Sequence, residues 1–227
     1  MDLPTVLLSV FHTSPINLFD AFIKEAGSFY ALPAHTLLEL RQRENKKVRG
    51  DIFEEFCALY LKHVCKYETV WLLSGVPEEV LVELGMKRQD MGIDILVRND
   101  GAYYAVQCKY KKPDPNKKQC ITWKALSTFY ALCLRTGPFQ KYIVMTNCDF
   151  VRHQGKKTTK DVSICLGTFR KLSGDDWLSM AQAKAGNVVS VDSNISSSVI
   201  LSVEELRQKR IQYFAPLDKK LNTINIV

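Results

Sequence analysis

The chain has 227 residues, a formal charge of +7 and a pI near 9.0, with 46% hydrophobic and 24% charged residues. That balance leaves room for a sizeable core and excludes a chain too polar to fold, in one domain with extensions or one and a half domains. The positive charge favours a polyanionic partner without naming one.

Residues 1–46 read as a helical N-terminal extension. The opening MDLPTVLLSVFHTSPINLF is apolar in patches but has no basic leader and no long uninterrupted core, so it predicts neither a signal peptide nor a membrane span. Pro15 near the start of a helix over 16–26, with Ser14 as its N-cap, is the first local signal. A second helix is predicted over 34–46. It ends in the basic run RQRENKKVR, which suits a solvated helix face or a contact to a nucleic-acid backbone.

The stretch GDIFEEFCALYLKHVC, Gly50 to Cys65, carries the strongest helical periodicity. Ile52, Phe53, Phe56, Leu59, Tyr60 and Val64 form a broad apolar stripe. Glu54 falls at the edge of that stripe and Glu55 farther onto the polar face. A short strand over 66–73 and a short helix over 77–84, with proline in its first turn, come next.

The centre of the chain is MGIDILVRNDGAYYAVQCKYKK, Met91 to Lys112. Two runs rich in Ile, Val and Tyr, separated by Asn-Asp-Gly, predict a β-hairpin. With the reversal near Asp100, Asp94 lies opposite 105–107. Alternation then puts Gln107 and Lys109 on one face and Val106 and Cys108 on the other. In the register that projects Asp94 beside Gln107 and Lys109, an acid, an amide and an ammonium converge at one end of the hairpin. Asp94 and the Gln107 carbonyl are hard oxygen donors suited to Mg2+, or to Mn2+, and Lys109 suits charge stabilisation at a phosphate.

The segment YKKPDPNKKQ holds two prolines and four lysines beyond Lys109 (Lys111, Lys112, Lys117, Lys118) and predicts an exposed basic loop. Solvated charge or a clamp on a phosphate backbone both account for it. An amphipathic helix is expected over 119–135, with Ile121, Ala125, Leu126, Phe129 and Leu132 or Cys133 facing in and Gly137-Pro138 closing it. KYIVMT, Lys141 to Thr146, reads as a strand covered on both faces. A second basic segment follows, in which Arg152, Lys156 and Lys157 are candidate nucleic-acid contacts beside His153 and Lys160; His153 has no catalytic partner in the sequence, and a phosphate contact or plain exposure accounts for it. A strand over 161–166, a helix over 174–185, a Ser-rich linker over 187–198 and a capped helix over 202–213 complete the chain. Seven scattered cysteines without a CxxC pair, and four histidines without zinc-ligand spacing, read as reduced thiols of an intracellular, cytoplasmic or nuclear protein.

The spacing D-x12-Q-x-K preceded by GID, with Gly50-x-x-Phe53-Glu54 upstream, resembles the PD-(D/E)xK nuclease superfamily, and within it the Mrr-type restriction endonucleases, where Gln commonly replaces the second acid. The first-helix motif also resembles that of Holliday-junction resolvases. The resemblance covers residues 48–182, and only GxxFE and GID…QCK are specific within it. It implies a restriction-endonuclease-like α/β/α sandwich with a mixed central sheet of about five strands, with residues 47–185 as the nuclease core and 186–227 as linker and tail. It implies a Mg2+- or Mn2+-dependent nuclease acting on DNA, with Asp94 as principal metal ligand, Gln107 as second ligand, Lys109 as catalytic cation and Glu54 as accessory acid; Asp90 is a weaker candidate. A homodimer, or a fused or associated helicase-type module, is the expected assembly. A nucleic-acid-binding module of a replication or repair protein that keeps the fold but does not cut is the competing expectation.

Overall fold

The fold was analysed in a computed structural model, which describes residues 3–14, 16–31, 46–89, 92–153 and 158–186. The expected helices over 34–46 and 202–213, the linker over 187–198, Asp90, Lys156 and Lys157 lie wholly or almost wholly outside the described residues.

A five-stranded mixed sheet carries the molecule. Its strands are β1 (Thr69–Leu72), β2 (Ile95–Asn99), β3 (Ala102–Lys109), β5 (Lys141–Thr146) and β7 (Asp161–Ile164), in spatial order β1-β2-β3-β5-β7. β1, β2 and β3 pair antiparallel, while β3, β5 and β7 run parallel. The hairpin turns at Asp100 and Gly101, both at positive φ (49° and 72°), the backbone that Asn-Asp-Gly selects. Its register pairs Ile95 with Val106 and Asn99 with Ala102, so one step further sets Asp94 beside Gln107.

Alternation along the strands divides the interior into two layers. Ile95, Val97, Tyr104, Val106, Cys108, Ile143 and Met145 point to one face, where α1 (Leu3–Thr13), α2 (Leu18–Ala31), α3 (Lys46–His63) and α6 (Gly174–Gly186) cover them. Leu96, Tyr103, Ala105 and Val144 point to the other, under α4 (Glu78–Glu83) and α5 (Ser127–Arg135). β5 is therefore apolar on both sides, as its sequence requires.

The N-terminal helices share the core rather than standing off it. Phe19 stacks on Phe169 at 4.7 Å and Phe22 on Phe56 at 4.8 Å, and the indole N–H of Trp177 donates to the Leu7 carbonyl at 2.8 Å. This aromatic cluster fixes α3 against the sheet.

Three local expectations change. Asn17, not Ser14, caps α2: its Oδ1 accepts the N–H of Phe19 at 3.1 Å and of Asp20 at 3.4 Å, while the Ser14 hydroxyl accepts from Ile16 just upstream. The helix expected over 119–135 is broken into β4 (Cys120–Thr122), a 3-10 turn (Trp123–Leu126) and α5. β4 pairs in parallel with β6 (Phe150–Arg152), and this long-range pairing outweighs the helical pattern of the segment. The third change is Ala125, which is exposed, although Ile121, Leu126, Phe129 and Cys133 are buried as expected.

Candidate active site

The end of the hairpin builds the site. Gly92 sits at φ 146° close to the start of α5; a Cβ there would lie 3.3 Å from the Phe129 backbone, so glycine is what lets this turn pass. Two residues on, the Asp94 N–H donates to the Val106 carbonyl at 2.9 Å, and the Asp94 carbonyl accepts from Leu73 N–H at 2.9 Å. The backbone of Asp94 is thus woven between β3 and the end of β1, and its side chain takes the same face as Gln107 and Lys109.

Asp94 Oδ2 accepts the Cys108 N–H at 2.7 Å and the Gln107 Nε2–H at 3.3 Å. Burial pushes the Asp94 carboxyl above its ordinary pKa, while the Cys108 N–H, the Gln107 amide and the Lys109 ammonium pull it down. Gln107 is 3% exposed, an amide buried at the floor of the site. Lys109 ends β3, and its carbonyl is held by the Thr146 hydroxyl at 2.7 Å.

The chain leaving Lys109 is tied down by one buried amide. Asn147 Oδ1 accepts the Lys111 N–H at 2.8 Å and its Nδ2 donates back to the Lys111 carbonyl at 2.6 Å. Thr146 and Asn147 form a polar pair closing an apolar strand, and that break in KYIVMTN was the readable signal for this role.

Glu54 reaches the same place from α3. It lies with Gly50, Asp51, Glu55, Arg88, Gln89, Asp94, Gln107, Lys109, Lys112 and Thr128 around an open cleft of about 1270 Å³. Beneath the cleft, burial raises the thiol pKa values of Cys57 on α3 and Cys108 on β3. The nearby carboxylates of Glu54 and Asp94 push both further up. The structure therefore brings together Asp94, Gln107, Lys109 and Glu54, residues separated by up to 55 positions in the sequence.

The basic residues divide. Lys112 lines the cleft. Lys111 turns its ammonium to the Cys120 carbonyl at 2.7 Å. Lys117 pairs with Asp114 at 3.2 Å beside a separate groove of about 480 Å³, and Lys118 is exposed. Arg152, on β6, is exposed and is not among the residues lining the cleft. His153 Nε2 lies 3.2 Å from the Ser163 hydroxyl, and the ring does not line the cleft. Arg88, Gln89, Thr128 and the Thr146-Asn147 pair are the site components that the sequence reading did not single out.

Among the described residues, no group of three or more His, Cys, Asp or Glu side chains is disposed to hold a metal ion. The donors at the hairpin end are one desolvated carboxylate and one buried amide. This set fits a hard cation that keeps most of its own water, and not a softer metal caged by protein ligands. Among the described residues, no helix is long and apolar enough to cross a membrane.

In comparison with known families, residues 62–185, more than half of the chain, match the model described as restriction endonuclease, of the Mrr catalytic type. No curated protein and no solved structure matches the chain.

Proposed function

The chain belongs to the restriction endonuclease family, and on that premise we propose that it is a Mg2+- or Mn2+-dependent endonuclease that hydrolyses phosphodiester bonds in DNA. The observation that carries this reading is the convergence of Asp94, Gln107 and Lys109 at one end of the β2–β3 hairpin, in a cleft that also receives Glu54.

Each side chain has a task set by its surroundings. Asp94, fastened through Oδ2 to the Cys108 N–H, anchors the cation. A divalent ion held there supplies a more acidic bound water and neutralises charge on the phosphoryl group. Gln107 turns Nε2 toward Asp94 in the structure, and its amide oxygen would be the second group to hold the cation. Lys109 faces the scissile phosphate and stabilises charge that grows as the leaving oxygen departs. Glu54, lining the same cleft, would support the cation as an accessory acid.

The test is incubation with linear, nicked, branched and single-stranded DNA in Mg2+, Mn2+ and EDTA. Divalent-dependent cutting of at least one substrate is expected. Binding without cutting in any metal overturns the enzyme reading. It favours instead a nucleic-acid-binding module that keeps the nuclease fold, to which the neutral Gln107 and the small ligand set lend support.

A further inference from the structure

Arg88 is the cleft residue whose setting is least explained by the chemistry at the hairpin. Its guanidinium is gripped from two elements: Nη1 donates to the Ser74 carbonyl at 2.8 Å, in the 3-10 turn after β1, and Nη2 donates to Glu78 Oε2 at 2.9 Å, at the start of α4. These contacts engage two of its five N–H donors and fix the plane of the fork. Glu78 stands outside the residues that line the cleft, whereas Arg88 and Ser74 line it, so the arginine is braced from behind. The side chains of Arg88 and Glu78 are 42% and 74% exposed, and an ion pair that open contributes little to folding.

The charges around the cleft give this bracing a use. Lys109 and Lys112 come from the end of β3 and the loop after it, while Arg88 comes from the wall formed by the 3-10 turn and the segment after α4. Asp51, Glu54, Glu55 and Asp94 line the same cleft. A polyanion entering such a space needs cations from more than one element to offset the carboxylates. A planar fork held in one orientation suits two phosphate oxygens at once, which a lysine ammonium does not match.

We infer that Arg88 is a phosphate-binding residue that grips the substrate backbone in the cleft shared with Lys109 and Lys112, setting how the strand lies across Asp94. This assignment rests on the nuclease reading above.

The test measures affinity for a fluorescein-labelled DNA duplex in EDTA across a salt series, with cleavage of the same duplex in Mn2+. Relative to the parent, Arg88→Ala is expected to weaken binding roughly tenfold at moderate salt and to lower the slope of log K against log salt by about 0.9, the loss of one phosphate contact. Arg88→Lys keeps the slope but recovers only part of the cleavage rate, because the charge remains and the fork does not. Glu78→Gln removes the partner charge but keeps an amide oxygen that still accepts from Nη2, so the guanidinium stays braced and parental slope is expected. Loss of affinity in Glu78→Gln equal to that in Arg88→Ala overturns the assignment, since the pair would then act only through the fold. A parent that binds and cuts, with Arg88→Ala at the parental slope, overturns this assignment alone. A parent that binds no DNA overturns the nuclease reading with it.

Discussion

The carboxylate of Asp94 is fastened to the backbone of Cys108, whose N–H meets Oδ2 at 2.7 Å. The acid sits one residue before β2 and the amide one residue before the end of β3, so the ladder that pairs Ile95 with Val106 also sets this bond. The geometry of the site is therefore a product of strand register. A slip by one residue would send Asp94 to the other face, among the aromatic side chains under α3.

Burial makes Asp94 a cost to the fold. Its pKa is raised, so the folded protein binds the proton more tightly than the unfolded chain. The stabilisation from protonation is fully present below the ordinary carboxylate pKa and is lost as pH rises through the raised value. Asp94→Asn is expected to melt at or above the parent temperature at neutral pH in EDTA, since the amide oxygen still accepts from Cys108. Added Mg2+ should raise the melting temperature of the parent and not that of the variant. Thermal denaturation with and without the ion measures both effects; a variant markedly less stable than the parent would show the charge is not a burden.

Removing the reactive groups should separate cutting from binding. Asp94→Ala and Lys109→Ala are both expected to lower the single-turnover cleavage rate by roughly a hundredfold or more. DNA affinity in EDTA should survive Asp94→Ala and even rise, because a negative charge near the phosphates is gone. Parental cleavage rates in both variants would place the active site elsewhere.

Gln107→Glu restores a second carboxylate at the floor of the cleft. Tighter Mn2+ binding by isothermal titration is the expected result, by about tenfold if both oxygens engage the ion. Equal affinity in the two proteins would mean the amide never ligates.

The lysines after β3 should not act alike. Lys112 lines the cleft, whereas Lys117 is paired with Asp114 beside another groove. Lys112→Ala is expected to lower the salt slope of DNA binding by about 0.9, and Lys117→Ala to leave it near the parental value. The same salt series reads both, and equal losses would make the whole loop a phosphate track.

The segment 62–185 that matches the family should not fold alone. It lacks α1, α2 and nearly all of α3, and with them Phe19, Phe22, Phe53 and Phe56, each almost fully buried. Losing even one such side chain typically costs about 3–5 kcal/mol. A fragment of these residues is expected to show no cooperative thermal transition, while residues 1–186 should melt as one unit. Circular dichroism on the two fragments decides it.

Much of this protein is set locally, and those parts were legible. Asn-Asp-Gly fixed the hairpin, the stripe from Ile52 to Val64 fixed a helix with Glu54 at its edge, and the unbroken apolar run of β5 required cover on both faces. Alternation by two sufficed to put Gln107 and Lys109 on one face. What the sequence did not disclose depends on contacts between distant segments. Cys120 to Thr122 is a strand only because Phe150 to Arg152 lies beside it. The roles of Asn147, which ties down the chain after Lys109, and of Arg88, which Ser74 and Glu78 brace, follow from hydrogen bonds across 10 to 36 residues. No periodicity encodes such partners. A buried carbonyl or N–H takes whatever polar group the packed sheet and helices bring within reach, and only the tertiary structure decides which one that is.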